Sequence, residues 1–402
     1  MDKTSGARLR RQNGVDVFFE YAYLFCVAVI ALMSFRYTTM ITEEQMPWST
    51  ELLMGFRLGL IFIVGAKTAW DRSWNVPEIV IGLLWISTSC ISFQMAWRYY
   101  EIELAVLVIG AHGVSFKKIG WTYFAVSAAA LITTVILAEA GVIENLVYYR
   151  GGAMRQSFGI IYPTDFTAHL FFLAALWAWL RERNITYVEI AVIAGLAVIS
   201  IVLCDARNNA GCILLLALGL LGMKLARRIV SKRGKELLLP RWLRIAFIVS
   251  APVMAIVMIV LTSQYEGDIA WMSKVNDLLS NRLALGKIAF NDYPFTAYGM
   301  DIPMNGLGGR TEWVEYYFFL DCSYINTLFR FGIVMLLCVL LTLVFSAMRE
   351  SKARSWERLG ILAVIALQCA FEHHLLEYCY HPFLLLPLAV SGASLWKQPG
   401  SE

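Results

Sequence analysis

Arg155, Arg282 and Asp321 are the residues of this chain best suited to hold a charged substrate and to move a proton on it. Arg155 closes the run Arg150-Gly-Gly-Ala-Met-Arg155 and opens Gln-Ser-Phe-Gly159. The glycines let the segment fold back on itself, and guanidinium groups grip phosphate oxygens two at a time. Arg282 heads Arg-Leu-Ala-Leu-Gly286-Lys287, a short amphipathic stretch followed by Tyr293-Pro294 and Tyr298-Gly299. Asp321 stands before Cys-Ser323-Tyr324-Ile-Asn326, where a carboxylate either caps the next helix or accepts a proton from an attacking hydroxyl. Each has a plainer reading too: arginines reaching for lipid headgroups, a solvated loop helix, and a helix cap.

Other polar residues could extend such a site. Arg207 lies in Asp205-Ala-Arg207-Asn-Asn209, a short turn between two apolar segments. Tyr162-Pro163-Thr164-Asp165 reads as a capped helix start. Asp165 and His169, four apart, then share one face of that helix, as a binding pair or as a helix–helix polar contact. Tyr324, Asn326 and Arg330 carry polar character further than a cap requires. Glu372-His373-His374-Leu-Leu-Glu377-Tyr-Cys-Tyr-His381 is a dense cluster, and His373 and His374 are candidate site-lining residues. His373, Glu377 and His381 have zinc-ligand spacing only on a continuous helix, and Pro382 argues against one. Neither this cluster nor the exposed pair Glu43-Glu44 is read as a metal site, so the expectation is no metal and no cofactor.

What must position these residues is a membrane-embedded scaffold. Of 402 residues 59% are hydrophobic and 16% charged, more apolar surface than one water-soluble core can bury. A window of about 20 apolar residues gives about twelve spans: 17–35, 51–70, 77–96, 101–114, 121–141, 163–180, 187–204, 210–226, 245–263, 323–347, 359–374 and 382–396. The whole chain, 1–402, is then a single integral membrane domain of the polytopic all-α class. The basic head (Lys3, Arg8, Arg10, Arg11) precedes the first span without a small-residue cleavage site, so that span is expected to be retained. Cations gather in alternate loops: Arg72, Lys117-Lys118, Arg181 and Arg183, the block Arg227 to Lys235, and Arg349 to Arg358. That bias puts both termini in the cytoplasm. Residues 264–320, before the tenth span, form one long outer loop that carries part of the site. The eight cysteines show no CxxC pairing and lie mostly within apolar segments.

The order of these features resembles a known family. Arg155 to Gly159 before Tyr-Pro, the Arg282 segment before Tyr-Pro and Tyr-Gly, Asp-Cys-Ser-Tyr-Ile ahead of Phe331-Gly332-Ile333, and the closing His381-Pro-Phe-Leu-Leu look like the O-antigen polymerase and ligase superfamily. The likeness spans roughly residues 145–390 and is nearer to the Wzy-type polysaccharide repeat-unit polymerases. It implies a GT-C-like glycosyltransferase in the bacterial cytoplasmic (inner) membrane. Its donor would be an undecaprenyl-pyrophosphate-linked oligosaccharide, with membrane lipid, a flippase and a chain-length regulator as partners and no nucleic acid. Arg155 and Arg282 would hold the pyrophosphate. Ligases of the superfamily place a His near the start of the span after the long loop, where this chain has Asp321. It also has Tyr-Pro-Thr before the sixth span where His-Pro-Asn is commoner. Both departures favour a polymerase over a ligase. A lipid-linked oligosaccharide flippase or transporter is the remaining expectation, and it would carry charges deep within several spans.

Overall fold

A computed structural model describes residues 14–96, 99–312 and 314–392. The basic head at Lys3 to Arg11 and the last part of the expected twelfth span lie outside the described residues. The structure is 68% helical, with one two-stranded hairpin among the described residues. Five helices come first: α1 (Gly14–Arg36), α2 (Ser49–Trp70), α3 (Val76–Ala96), α4 (Tyr99–Gly110) and α5 (Phe116–Glu139). The hairpin β1 (Val147–Arg150) and β2 (Ala153–Gln156) leads into α6 (Pro163–Arg181), α7 (Tyr187–Val202) and α8 (Arg207–Ser231). Then come α9 (Arg241–Ile248), α10 (Ser250–Ser263), α11 (Ala270–Leu278) and α12 (Arg282–Asp292). The chain finishes with α13 (Ser323–Arg330), α14 (Gly332–Lys352) and α15 (Trp356–Gln368).

Six of these helices are long and apolar enough to cross a membrane: α1, α2, α3, α5, α8 and α14. The α9–α10 pair, bent by 59°, would add a seventh. Their outer faces show large apolar side chains, among them Leu58, Phe62, Val80, Leu83, Ile132 and Leu218. Surface of that kind is stable only against lipid. The protein is therefore a polytopic all-α membrane protein. Helix α6, despite its 19 residues, is too polar at its start to join the six, and it packs inside against α5, α8 and α15.

The final segment departs from the expected helix. From Pro382 to Val390 the described chain makes only a short 3-10 turn, Phe383–Leu385, and Pro382 to Ala389 are all buried. Two prolines, Pro382 and Pro387, interrupt any helix here. The segment begins near His374, beside Asp165 at the first turn of α6, and ends where Val390 pairs with Val114 and Phe116 at the other end of the bundle. It thus traverses the protein without being helical. Irregular backbone at such depth must be buried in protein and satisfied there. Arg349 does part of this, donating to the carbonyls of Leu386 and Pro387 at 2.9 and 3.0 Å.

Two glycine contacts fix the long loop against the helices. A Cβ on Gly286 would lie 2.6 Å from Thr262 Cγ2, so glycine is what lets α12 lie against α10. Gly299 (φ +87°) and Gly332 (φ +90°) sit back to back, and a Cβ on Gly332 would meet Ala297 O and Gly299 N at 2.4 Å.

Candidate active site

Gly151 and Gly152, with φ of +56° and +84°, form the two-residue turn that hairpins favour. The register pairs Tyr148 with Arg155 and Arg150 with Ala153. Residues two apart on a strand share a face, as do directly paired ones, so Arg150 and Arg155 project from the same side of the hairpin. That side meets the α7–α8 turn. Gln156 N donates to Leu203 O at 2.9 Å, and Arg155 Nε donates to Cys204 O at 2.9 Å. Arg155 Nη1 reaches Tyr162 Oη at 3.3 Å, and its guanidinium lies 5.4 Å from the Tyr162 ring centre. Arg150 makes two bonds to Asp205 Oδ2, at 2.9 and 2.5 Å, while Arg207 Nε bonds Asp205 Oδ1 at 3.1 Å. Burial pushes the Asp205 carboxyl up, but these bonds outweigh it and hold the group below its usual range.

Arg282 arrives from the long loop as the first residue of α12, behind Asn281 in a left-handed conformation. Its Nε donates to Phe371 O at 3.0 Å and its Nη1 to Ser280 O at 3.1 Å. Asp321 Oδ2 and Glu372 Oε1 stand at 3.6 and 3.5 Å, paired electrostatically rather than by short hydrogen bonds. The segment carrying Glu372 is locked to α13: Ser323 Oγ donates to Glu372 O at 2.5 Å and accepts from Leu375 N at 3.2 Å. Burial raises the Asp321 carboxyl above its usual range, and Arg282 opposes that only in part.

These groups line one cleft with Tyr162, Thr164, Asn208, Ser280 and Tyr317. Its volume of about 50 Å³ has room for a few waters or one phosphate-sized group, roughly. Four arginines (150, 155, 207, 282) face three carboxyls (Asp205, Asp321, Glu372). Asp205 is already committed to two of the arginines. Among the described residues, no carboxylate pairs with Arg155, which is 4% exposed. A buried guanidinium satisfied by a carbonyl and a phenol keeps its charge and N–H groups for an anion. The long loop borders this region, because Tyr148 Oη lies 2.9 and 3.0 Å from the carbonyls of Ile161 and Leu307.

Arg150 and Arg155 from the hairpin, Arg207, Arg282 and Asp321, drawn from four separate segments, thus converge on the cleft. Other candidates do not line it. His169 is 1% exposed, hydrogen-bonded to Thr38 Oγ1 at 3.0 Å and stacked on Tyr380. Tyr324 is fully buried and donates to Ala366 O at 2.7 Å. Both are polar groups satisfied in the core, where an unpaired hydroxyl or imidazole would be costly, and neither lines the cleft. Asp165, His373 and His374 form a layer behind the cleft. His374 Nε2 is 3.7 Å from Asp165 Oδ1, and Glu377 lies 3.5 Å from both histidines.

Among the described residues, two groups have potential metal-ligand atoms close together: Asp165 with His373 and His374, and Asp321 with Glu372 and His373. In the second, Arg282 already supplies the cation between the carboxylates. His381 belongs to neither group and packs on Phe172; the residues from His374 to Leu376 form a 3-10 turn rather than a continuous helix. Glu43 and Glu44 are exposed and do not line the cleft. Tyr162, Tyr317 and Glu372 line it without having been singled out as site residues. Tyr317, four residues before Asp321 in a run of aromatics, has no local signal.

No family model, curated protein or solved structure matches this chain.

Proposed function

We propose that this protein is a polymerase that joins undecaprenyl-pyrophosphate-linked oligosaccharide repeat units into capsular, exo- or O-antigen polysaccharide. The observation that carries the reading is the shared cleft of Arg155, Arg282 and Asp321, at one end of an apolar helix bundle. Two guanidinium groups from separate segments suit a diphosphate at the edge of a bilayer. The four-arginine cleft and the resemblance of residues 145–390 to Wzy-type polymerases point the same way.

In the proposed reaction an acceptor sugar hydroxyl attacks the anomeric carbon of the donor. The bond from that carbon to the pyrophosphate oxygen breaks, and undecaprenyl pyrophosphate leaves with the electron pair. Arg155 and Arg282 stabilise the charge that develops on the leaving group. Asp321 takes the hydroxyl proton. Because the leaving group is already activated, positioning and charge stabilisation are the main demands on the protein, and a metal is not needed.

The proposed setting is the outer face of the bacterial cytoplasmic membrane, with both termini in the cytoplasm and a GT-C-like arrangement. The shorter helices α4, α6, α7 and α15 would complete the crossings, with the irregular segment 382–390 as the last of about twelve. Purified protein in liposomes, supplied with the lipid-linked repeat unit alone, is expected to yield a ladder of lengthening lipid-linked chains. Deletion of the gene should leave single repeat units on the lipid. Accumulation of long lipid-linked chains instead would identify a ligase and overturn the polymerase.

A further inference from the structure

A second cavity lies far from the arginine cleft. Helix α8 starts at the cleft with Arg207 and runs to Ser231. Lys224 is seventeen residues along it, about 26 Å at 1.5 Å per residue, close to the roughly 30 Å of a bilayer's hydrocarbon core. There α7, α8 and the start of α15 enclose about 410 Å³. Ile185, Tyr187 and Leu220 form its apolar wall, and Arg183, Lys224, Arg227 and Arg228 bring positive charge.

Two carboxylates, Glu182 and Glu357, also border it, but both are committed. Glu357 takes two bonds from Arg227 at 2.5 and 2.7 Å, and Glu182 pairs with Arg358 at 3.2 Å. Three cations are left without a carboxylate. Lys224 donates to Ile185 O and lies 5.0 Å from the Tyr187 ring centre. Arg183 donates to Arg354 O at 3.3 Å. The Arg228 side chain is exposed and has no partner among the described residues. From the cavity, exposed apolar side chains continue along both helices: Val188 and Val192 on α7, Leu218 and Leu225 on α8.

We infer that this cavity binds an anionic phospholipid, with the phosphodiester among Arg183, Lys224 and Arg228 and an acyl chain along the α7–α8 groove. Charge complementarity selects the headgroup, since a zwitterionic lipid would bring its own cation against three unneutralised ones. The apolar track selects a lipid over a soluble anion, which would leave Tyr187, Leu220 and the groove unused. The cavity sits at the depth where headgroup and acyl chain join. This site is independent of the chemistry at the arginine cleft.

The test is native mass spectrometry of the full chain released from nanodiscs containing equal phosphatidylglycerol and phosphatidylcholine. Wild type should retain phosphatidylglycerol selectively. A cation near a membrane surface contributes about 1 kcal/mol, or roughly fivefold in affinity. Arg228→Ala should therefore lower retention about fivefold, and Arg183→Ala with Arg228→Ala about 25-fold. Lys232→Ala with Arg233→Ala, exposed on the same end but outside the cavity, should change nothing. Equal loss in that control pair would replace the site with diffuse surface attraction. Unselective retention by wild type, or displacement of the lipid by millimolar glycerol 3-phosphate, would also overturn the proposal.

Discussion

Arg227 and Arg282 lie in largely buried positions at opposite ends of the bundle, with side chains 20% and 10% exposed, and their partners differ in kind. Arg227 forms a bidentate pair with Glu357 at 2.5 and 2.7 Å. Arg282 is fixed by the carbonyls of Phe371 and Ser280, while Asp321 and Glu372 remain at 3.6 and 3.5 Å. The first arrangement uses up its charge in joining two helices. The second fixes a guanidinium by two carbonyls and holds its carboxylates at looser distance, with no bidentate pair. Arg155, held by Cys204 O and Tyr162, belongs with Arg282. This difference in partners, more than burial, is what sets the arginines proposed to meet a ligand apart from Arg227.

The largest expected effects test that separation directly. Arg282→Ala and Arg155→Ala should each abolish long-chain glycan, a loss of about 10³-fold, the upper range for removing a charge-stabilising donor. Protein level in the membrane should be unchanged for Arg155→Ala; Arg282→Ala also strands Asp321 and Glu372, so its loss is read as turnover per surviving molecule. Arg227→Ala should do the reverse. It strands Glu357, which is 4% exposed, at a cost of about 3–5 kcal/mol, so protein level falls while turnover per surviving molecule holds. Glycan ladders on gels read beside immunoblots distinguish the two patterns. Normal ladders from Arg155→Ala and Arg282→Ala would erase the distinction.

Asp321→Asn comes next, with an expected loss near 10²-fold, the low end for a general base, because Glu372 lies close by. Its pH dependence sharpens the assignment. The Asp321 carboxyl is raised by burial, and only its ionised form accepts a proton. Wild-type activity should therefore fall as pH drops through a value above the ordinary carboxylate range of about 4. That acid limb should be missing in Asp321→Asn. An identical pH profile in both proteins would leave Asp321 only as a counter-ion of Arg282; Cys322, not Asp321, is the N-cap of α13, and no side chain caps it.

A smaller effect is expected at Arg207, whose side chain is 69% exposed. Asp205 keeps its two bonds from Arg150 when Arg207 is lost, so Arg207→Ala should raise KM a few-fold and leave kcat unchanged. Exposed ion pairs contribute about 0–1 kcal/mol. A fall in kcat would move Arg207 into the same group as Arg282.

The sequence made the helices of the bundle legible because lipid-facing and core-facing residues both read as apolar runs. It also pointed to Arg155, Arg282 and Asp321, since charged residues beside such runs stand out. Three things were hidden. The segment from Pro382 reads as a span; its prolines are visible in the sequence, but the carbonyl bonds from Arg349 that satisfy its buried irregular backbone depend on tertiary packing. His169 and Tyr324 look like site residues because polar groups are rare in apolar helices, and their partners, Thr38 and Ala366, are distant in sequence. Glu372 reaches Arg282 only because Ser323 fastens its segment to α13, a link that no local pattern announces.

Chelation should have the smallest effect of all. Asp321, Glu372 and His373 are close enough to hold a divalent ion, but Arg282 already lies between the two carboxylates. A dication there would have to displace the guanidinium or share a site with it against direct repulsion. Liposome-reconstituted protein is therefore expected to keep its full rate of chain elongation in EDTA. Loss of activity with recovery in magnesium or manganese would mean that an ion and Arg282 act together. An ion held by Asp165, His373 and His374, none of which forms an ion pair with an arginine among the described residues, would then be the one required, and Asp165→Asn should in that case abolish the rescue.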